Sequence, residues 1–241
     1  MRATLLIAKR DLGGYFRTWS GWVIIALALF ADAILFNTRA LGNGEQLSAE
    51  VLREFFFSVS GVTMIVSLVI SMRLLAEERQ TGTINLLYSS PVRDGEIVVG
   101  KFLSALGFLA ALTLTTFFMP LMLKIHGKIA IGQLMAGYLG LMLLGSAALS
   151  IGTLGSALAR SQVLAVIISA VLLTVMVLAW KLAEVSERPF PPIFTALALH
   201  GIHFSPFSYG IVHLRDVVFY LAVTYVFLFA ATRVVEARRW R

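Results

Sequence analysis

Residues 95–102, with the sequence GEIVVGKF, come close to a phosphate-binding loop. Gly95, Gly100 and Lys101 stand as in the pattern GxxxxGK[ST], in which backbone N–H groups cradle phosphates and the final hydroxyl holds Mg²⁺. Phe102 replaces that hydroxyl, and the stretch follows a turn instead of a buried strand. We therefore predict that this chain binds no nucleotide and that Lys101 anchors the following apolar segment at a membrane surface.

A second group of chemically capable residues comprises His200, His203, Ser205, His213 and Asp216. Imidazole and carboxylate groups can hold a metal ion, and a serine near a histidine can act as a nucleophile. The sequence has neither the GxSxG turn of serine hydrolases nor a zinc-binding helix motif such as HExxH. We predict histidines set in an aromatic loop, with no catalytic residue and no metal site.

Asp32 is the third candidate, because it lies inside an apolar run and near its far end. An acid within a membrane span is costly and is by default a candidate intramembrane polar site. However, only four residues separate Asp32 from the predicted end of the run. We therefore favour snorkelling toward water, or pairing with Arg39, over a functional role.

These candidates belong to a chain that is too apolar for a soluble protein. Hydrophobic residues make up 59% of it and charged residues 14%, against about 25% charged in an average soluble domain. The absence of cysteine excludes disulfides and thiolate metal sites. The formal charge of +7 does not predict nucleic-acid binding, because its distribution around the apolar runs matters more.

Six apolar runs are long enough to cross a bilayer, which takes about 20 residues of helix. They cover residues 19–36, 55–75, 97–123, 133–158, 163–180 and 217–232. In the loop at 182–216, the apolar run 193–199 is too short to cross and predicts an interfacial or re-entrant helix. The predicted fold class is an all-α integral membrane protein with six transmembrane helices in a single domain, residues 1–241.

Two further patterns concern helix packing. In residues 1–18, Leu5 and Leu12 fall on one helical face while basic residues fall on another, which predicts an amphipathic helix lying in the membrane interface. A cleaved signal peptide is the alternative, disfavoured because the next apolar run continues past residues 31–33. In the fourth run, Ala148, Gly152 and Ser156 recur every four residues, as in closely packed membrane helices. We favour packing within the chain over packing on another subunit.

Charge predicts the orientation of the six spans. The side that holds both termini, residues 72–101 and the turn at 160 carries 13 Lys or Arg and 6 acids, and the other side carries 7 of each. Basic residues concentrate on the cytoplasmic side of membrane proteins. We therefore predict that both termini and residues 72–101 are cytoplasmic, in the cytoplasmic (inner) membrane of a bacterium.

Residues 72–101 form a charged segment between two long uncharged runs. After the break at Gly82, Thr83 is a plausible N-cap, and Ile84, Leu87 and Tyr88 share one helical face. Pro91 ends that short helix, and Asp94 can cap the next one. From the pattern alone, the apolar face packs either on the protein's own membrane domain or on a partner.

This segment resembles the membrane permeases of ABC type-2 exporters. Its residues fit the pattern EER-x-x-GT-x-x-x-L-x-x-x-P-x-x-x-x-x-I-x-x-GK, beginning at Glu77 and ending at Lys101. Residues 72–73, 137–141 and 214–216 extend the similarity over nearly the whole chain. Within the group, the chain is most similar to gliding-motility-associated (GldF-type) permeases.

The resemblance implies that residues 76–95 are a cytoplasmic coupling segment that inserts into a groove of an ATPase subunit. Charged side chains would fix its register and apolar ones would supply contact area. The residues that the resemblance assigns to this site are Glu77, Glu78, Arg79, Thr81, Gly82, Thr83, Ile84, Leu87, Tyr88 and Pro91. The chain itself would be no enzyme and bind no cofactor, with ATP and Mg²⁺ held by the partner.

The resemblance also implies an assembly of two permease chains, identical or different, with two copies of the ATPase subunit. The path between the permeases would be lined mainly by spans one, two and five. Export across the membrane is the expected function. The alternative is a mechanical transmitter that drives an attached accessory protein, single-pass or periplasmic, without passing a substrate.

Overall fold

The computed structural model describes residues 2–41, 48–83, 92–126, 130–185 and 191–239, and within these ranges it contains helices and turns but no strand. The helices are α1 Arg2–Arg17, α2 Trp19–Leu35, α3 Ser48–Ser71, α4 Ala76–Gln80, α5 Asp94–Thr115, α6 Phe118–His126, α7 Ile131–Leu158, α8 Gln162–Val185, α9 Pro191–Leu197, α10 Ser205–Ser208 and α11 Leu214–Arg239. A π-helical segment, Phe36–Leu41, continues α2. We call the end of the bundle with residues 72–83 the motif end, and the end with residues 191–213 the loop end.

Six helical stretches are long and apolar enough to cross a membrane, which confirms the predicted fold class. They are Trp19–Thr38, Ser48–Gln80, Asp94–Leu123, Ile131–Leu158, Gln162–Ala183 and Leu214–Arg238. Most of their ends differ from the predicted ones by a few residues, and two of the differences concern helix starts. The short helix expected before the second span is the first part of α3, and Asp94 lies inside α5, where Arg93 is the N-cap.

The centre of the bundle is formed by α3 and α7. In the most apolar 18-residue stretch of each of these two spans, 67% is buried within the chain, against 22% for α2, 28% for α8 and 17% for α11. Leu52, Phe56 and Leu141 are among the fully buried side chains between these helices. Three of the six spans therefore turn most of their apolar surface outward, as expected where lipid or another subunit is the neighbour.

Small residues make the close approach of α7 possible. A Cβ added at Gly152 would overlap Ser71 of α3, and one added at Gly137 would overlap the ring of Phe56. Ser156 contacts the backbone directly after α3. The small-residue pattern of this span thus serves packing within the chain, as predicted.

We expect Gly152→Ala to lower the free energy of unfolding by about 2 kcal/mol, because overpacking a fitted contact forces backbone or rotamer shifts. Gly61→Ala in α3 is the matched control, since a Cβ added there meets no atom within 4 Å. Thermal unfolding in detergent should separate the two variants, and equal stability for them would contradict this account of the α3–α7 contact.

The N-terminal helix α1 folds back onto α5 instead of standing alone. Gly100 lies against Ile7, with only 3.0 Å between an added Cβ and the Ile7 Cβ, and Tyr15 stacks on Phe108 at 4.9 Å between ring centroids. Burial raises the pKa of the Tyr15 phenol, which keeps it neutral. Leu5 of α1 is exposed, and the predicted position of α1 in the membrane interface stays a prediction.

At the loop end, the short helix α9 lies where the prediction placed an interfacial or re-entrant helix, whose position in the membrane stays a prediction, and α10 is a second short helix that the prediction missed. The Ser205-Pro206 pair was its available signal, because proline favours the first helical turn. The backbone N–H of Leu199 donates to the Met176 carbonyl at 3.0 Å, and the Tyr220 hydroxyl donates to the Leu199 carbonyl at 2.9 Å. These bonds tie the loop to α8 and α11.

Two histidines of the loop end are buried in structural contacts. Ser60 donates its hydroxyl to the Phe57 carbonyl, so His200 must donate its Nε2–H to the Ser60 oxygen at 2.8 Å. Burial lowers the pKa of His200, which favours the neutral ring. His203 Nδ1 lies 2.7 Å from the Asp216 carboxylate. In the described residues, no three metal-binding side chains come together.

Candidate functional site

The candidate site begins where α3 ends and the chain turns into the short helix α4. The backbone N–H groups of Leu75 and Ala76 both donate to the hydroxyl oxygen of Ser156 on α7, each at 3.0 Å. These groups are among the unsatisfied donors of a helix start, which need a partner when buried. Leu75 and Ala76 are buried, so α4 is seated on the motif end of α7.

Arg79 makes the second connection to α7. Its Nη1 donates to the carbonyl oxygen of Ala159 at 2.8 Å and to that of Ala157, where α7 ends. A guanidinium suits this place because the last carbonyls of a helix lack intrahelical donors and carry partial negative charge. Arg79 of the motif is therefore a cap for another helix of the same chain.

Glu78 makes the third connection, through a partly buried ion-pair cluster centred on Lys101. Lys101 Nζ lies 2.6 Å from Glu78 Oε1 and 3.1 Å from Asp11 Oδ2, and its side chain is only 4% exposed. Arg10 pairs with Asp11 at 2.9 Å and approaches Glu78 to 3.9 Å. The cluster joins α4, α5 and α1. The ammonium group of Lys101 is buried between two carboxylates of its own chain, and its predicted place at a membrane surface stays a prediction.

Glu77 completes the set by joining α4 to the start of α2. Its carboxylate accepts two hydrogen bonds from Arg73, at 2.9 and 3.1 Å, and Arg73 also donates to the Ser20 hydroxyl at 2.6 Å. A cavity of about 350 Å³ lies between α1 and α4, lined in part by Arg73, Glu77 and Lys101. All three charged residues of the EER motif thus have partners within the chain.

The end of α4 is closed by a short polar turn. Thr81 donates its hydroxyl to the Glu77 carbonyl at 3.0 Å, and Thr83 donates to the Glu78 carbonyl at 3.3 Å. Gly82 has a φ of +76°, a conformation that favours glycine and commonly ends helices. The Thr83 hydroxyl is therefore turned back toward α4. The predicted apolar face, Ile84, Leu87 and Tyr88, and the helix end at Pro91 lie outside the described residues.

Sequence reasoning missed the partners of the motif. Asp11 and Ser20 were not identified, and Arg10 was assigned only to the basic face of residues 1–18, although an acid in an otherwise basic amphipathic helix was a usable signal for Asp11. Ser156 was noted only for its small size. The phosphate-loop-like stretch at 95–102 is part of α5, so its backbone is helical and its lysine is held in the ion-pair cluster.

Asp32 lies on the buried face of α2, with a side chain that is 1% exposed. Snorkelling is therefore wrong, since the carboxyl group points into the bundle and does not reach water. Neither carboxylate oxygen has a hydrogen-bond partner in the part of the chain that the structure describes. The side chain of Arg39 is outside that part, so the predicted pairing stays a prediction.

This fold and site define a class of protein: a six-helix membrane bundle with a cluster of charged residues on a short helix after its second span. Over residues 5–238, the chain matches the family model described as ABC-2 family transporter protein. The chain belongs to this family, and it is the membrane permease component of an ABC transporter. Membership implies association with an ABC ATPase subunit. Comparison with curated proteins finds no match.

Proposed function

We propose that this chain is a passive membrane subunit that couples ATP hydrolysis by a separate ATPase subunit to export across the cytoplasmic membrane. The observation that carries the proposal is the set of contacts around α4. This five-residue helix is joined to α7 through Ser156 and Arg79, to α5 and α1 through Glu78, and to α2 through Arg73.

These contacts suit α4 to transmit force. A push on residues 76–95 would act on four helices at once, because charge-assisted hydrogen bonds resist displacement more than neutral ones. In this proposal, Glu77, Glu78 and Arg79 hold the base of the coupling segment to the bundle. The turn of Thr81, Gly82 and Thr83 sets the direction in which the chain leaves α4, and residues 84–91 form the surface that binds the ATPase subunit.

The orientation and the chemistry of the proposal follow from charge. The sequence segments assigned to the side of the motif end hold 13 of the 20 Lys and Arg residues, which supports a cytoplasmic location for that end and for both termini. ATP and Mg²⁺ would be bound and hydrolysed by the partner alone. The helical backbone at 95–102 and the paired state of Lys101 support this division, since a phosphate site needs an open loop and a free lysine.

The assembly we propose contains two permease chains and two ATPase subunits. Spans one and five, α2 and α8, expose most of their apolar surface and suit a path between permeases. Span two, α3, is mostly buried within its own chain, so its part in lining that path would be limited to its exposed face.

We expect Leu87→Asp to release the ATPase subunit without destabilising the permease. A carboxylate placed in an apolar contact surface costs several kcal/mol when it is desolvated without a partner. The measurement is co-purification of ATPase activity with the detergent-solubilised chain, together with the unfolding temperature of the permease.

Ile211→Asp is the control, because Ile211 is an exposed apolar residue at the loop end. It should leave the ATPase bound. Equal retention of the ATPase by the wild type, Leu87→Asp and Ile211→Asp would refute the assignment of residues 84–91 to the interface.

The second candidate is mechanical transmission, as the similarity to gliding-motility-associated permeases implies. The small size of the loop end favours it: the described residues there form the short helices α9 and α10, their turns and the ends of the spans, with no separate domain to grip a large soluble cargo. An accessory single-pass or periplasmic protein that stays bound to the loop end, and whose loss stops function but not ATP hydrolysis, would select this candidate over export.

A further inference from the structure

The buried acid Asp32 plays no part in the contacts around α4. The buried face of α2 consists of Gly21, Ile25, Ala28 and Asp32, so the carboxyl group lies on the same stripe as apolar core residues. One turn earlier, Ala28 is buried in the core, and one turn later, Phe36 packs edge-on against Phe55 of α3 at 5.7 Å. Asp32 therefore lies in an apolar contact between α2 and α3.

The described groups around Asp32 do not stabilise it as an anion. Its two oxygens accept no hydrogen bond from the described residues. On α3, the charged residues Arg53 and Glu54 at this end pair with each other at 3.2 Å. The Tyr138 phenol on α7, which interacts electrostatically with the carboxyl, is no cation. An ionised carboxylate without partners costs so much in such a place that the group takes up a proton instead.

The space around Asp32 also limits the ligand. The side chain of Asp32 is only 1% exposed, and Asp32 lines none of four cavities that lie at the two ends of the bundle. An amine, a metal ion or a cargo group would need such a cavity next to the carboxyl. A proton is the ligand that needs no space beyond the carboxyl group itself.

We propose that Asp32 is a proton-binding site of the membrane domain, occupied when α2 is packed on α3 and emptied when the two helices separate. Water that enters on separation takes the proton: the O–H bond of the carboxylic acid breaks, its electron pair stays on the carboxylate oxygen, and hydronium forms. The helix α2 is suited to this movement because only 22% of its most apolar 18-residue stretch is buried against the rest of the chain. The part of the proposal that concerns movement rests on the proposed function, since the ATPase would drive it.

Infrared spectroscopy of the permease in lipid nanodiscs tests the resting state. At neutral pH the wild type should show the carbonyl stretch of a protonated carboxylic acid, shifted in D₂O, and the isosteric Asp32→Asn variant should lack it. Glu50→Gln, which removes an exposed acid of α3, is the control and should retain the band. Absence of the band in the wild type, or its persistence in Asp32→Asn, would overturn the proposal. A band that is absent in the wild type and appears in Arg39→Gln would also overturn the proposal, because it would show that Arg39 holds Asp32 in its ionised form.

The movement is tested on the complex with its ATPase subunit. Spin labels at Ile34→Cys and Phe57→Cys, both exposed positions, report the distance between α2 and α3. When a non-hydrolysable ATP analogue lengthens this distance, the carboxylic-acid band should lose intensity. The ratio of molecules with α2 and α3 separated to molecules with them packed should rise by up to about tenfold per pH unit in the wild type but not in Asp32→Asn. A longer distance with an unchanged band would overturn proton release. An unchanged distance would count against the proposed function, while the resting band would still support the proton site.

Discussion

Replacing Lys101 by methionine should lower the free energy of unfolding by about 4 kcal/mol, because removing one partner of a buried ion pair leaves the others uncompensated. Without the ammonium group, the carboxylates of Glu78 and Asp11 would face each other with Arg10 as their remaining described cation. The cluster would open, and α1 and α4 would lose their common contact on α5. Thermal or denaturant unfolding of the detergent-solubilised chain measures the loss.

The matched control is Arg233→Met. Arg233 also pairs with an acid, Glu236 at 2.8 Å, but its side chain is exposed, so its loss should cost less than about 1 kcal/mol. Removing the charges of the cluster together, by Asp11→Asn, Glu78→Gln and Lys101→Met, should restore much of the stability. If Lys101→Met cost no more than Arg233→Met, the cluster would not hold the motif end together.

The restored triple variant also separates stability from coupling. If the cluster transmits force from α4, the triple variant should fold and bind the ATPase subunit but support little export. The reason is that apolar and neutral groups resist displacement of α4 less than charge-assisted hydrogen bonds do. Full export activity in that variant would assign the cluster to stability alone.

The second large effect is expected at Gly21, in the corner between α1 and α2. A Cβ added there would overlap the backbone carbonyl of Tyr15, which cannot rotate away as a side chain can. The corner is tight: the Gly21 N–H donates to the Thr18 carbonyl at 3.2 Å, and Trp22 donates to the Phe16 carbonyl at 3.0 Å. We expect Gly21→Ala to cost about 3 kcal/mol, at the upper end of overpacking effects.

The expected relief of this overlap is a displacement of α1 from α5. Spin labels at Leu5→Cys and Leu158→Cys, which are exposed at the motif end, should then report a longer and broader distance distribution. Because the chain has no native cysteine, these labels are specific. Gly14→Ala is the control, since a Cβ added there meets nothing within 4 Å. A normal distance in Gly21→Ala would show that the corner can adapt without moving α1.

The two predictions concern one mechanical arrangement. Lys101 joins α1 to α4 through its ion pairs with Asp11 and Glu78. Gly21 allows α1 to lie close enough to α5 for the pair with Asp11 to form. If both variants uncouple ATP hydrolysis from export while retaining the ATPase subunit, α1 is part of the transmission. If they retain coupling, α4 transmits through Ser156 and Arg79 to α7 alone.

The sequence by itself determined the six-span all-α architecture, because bilayer thickness sets the length of an apolar helix and this length is visible in one dimension. It also determined the place of the EER motif, between the second and third spans, and the small-residue face of α7. These features depend on neighbours a few residues away, so local pattern suffices to find them.

Only the tertiary structure decided where the motif charges point. Glu78 and Lys101 are 23 residues apart and Lys101 and Asp11 are 90 apart, so their pairing depends on how α1, α4 and α5 pack. Likewise, whether Asp32 faces lipid, water or the core depends on which side of α2 meets α3, and a nearly uniformly apolar helix carries little periodicity to reveal it. In a membrane chain both faces of a helix are apolar, and contact between helices then decides which polar groups are buried.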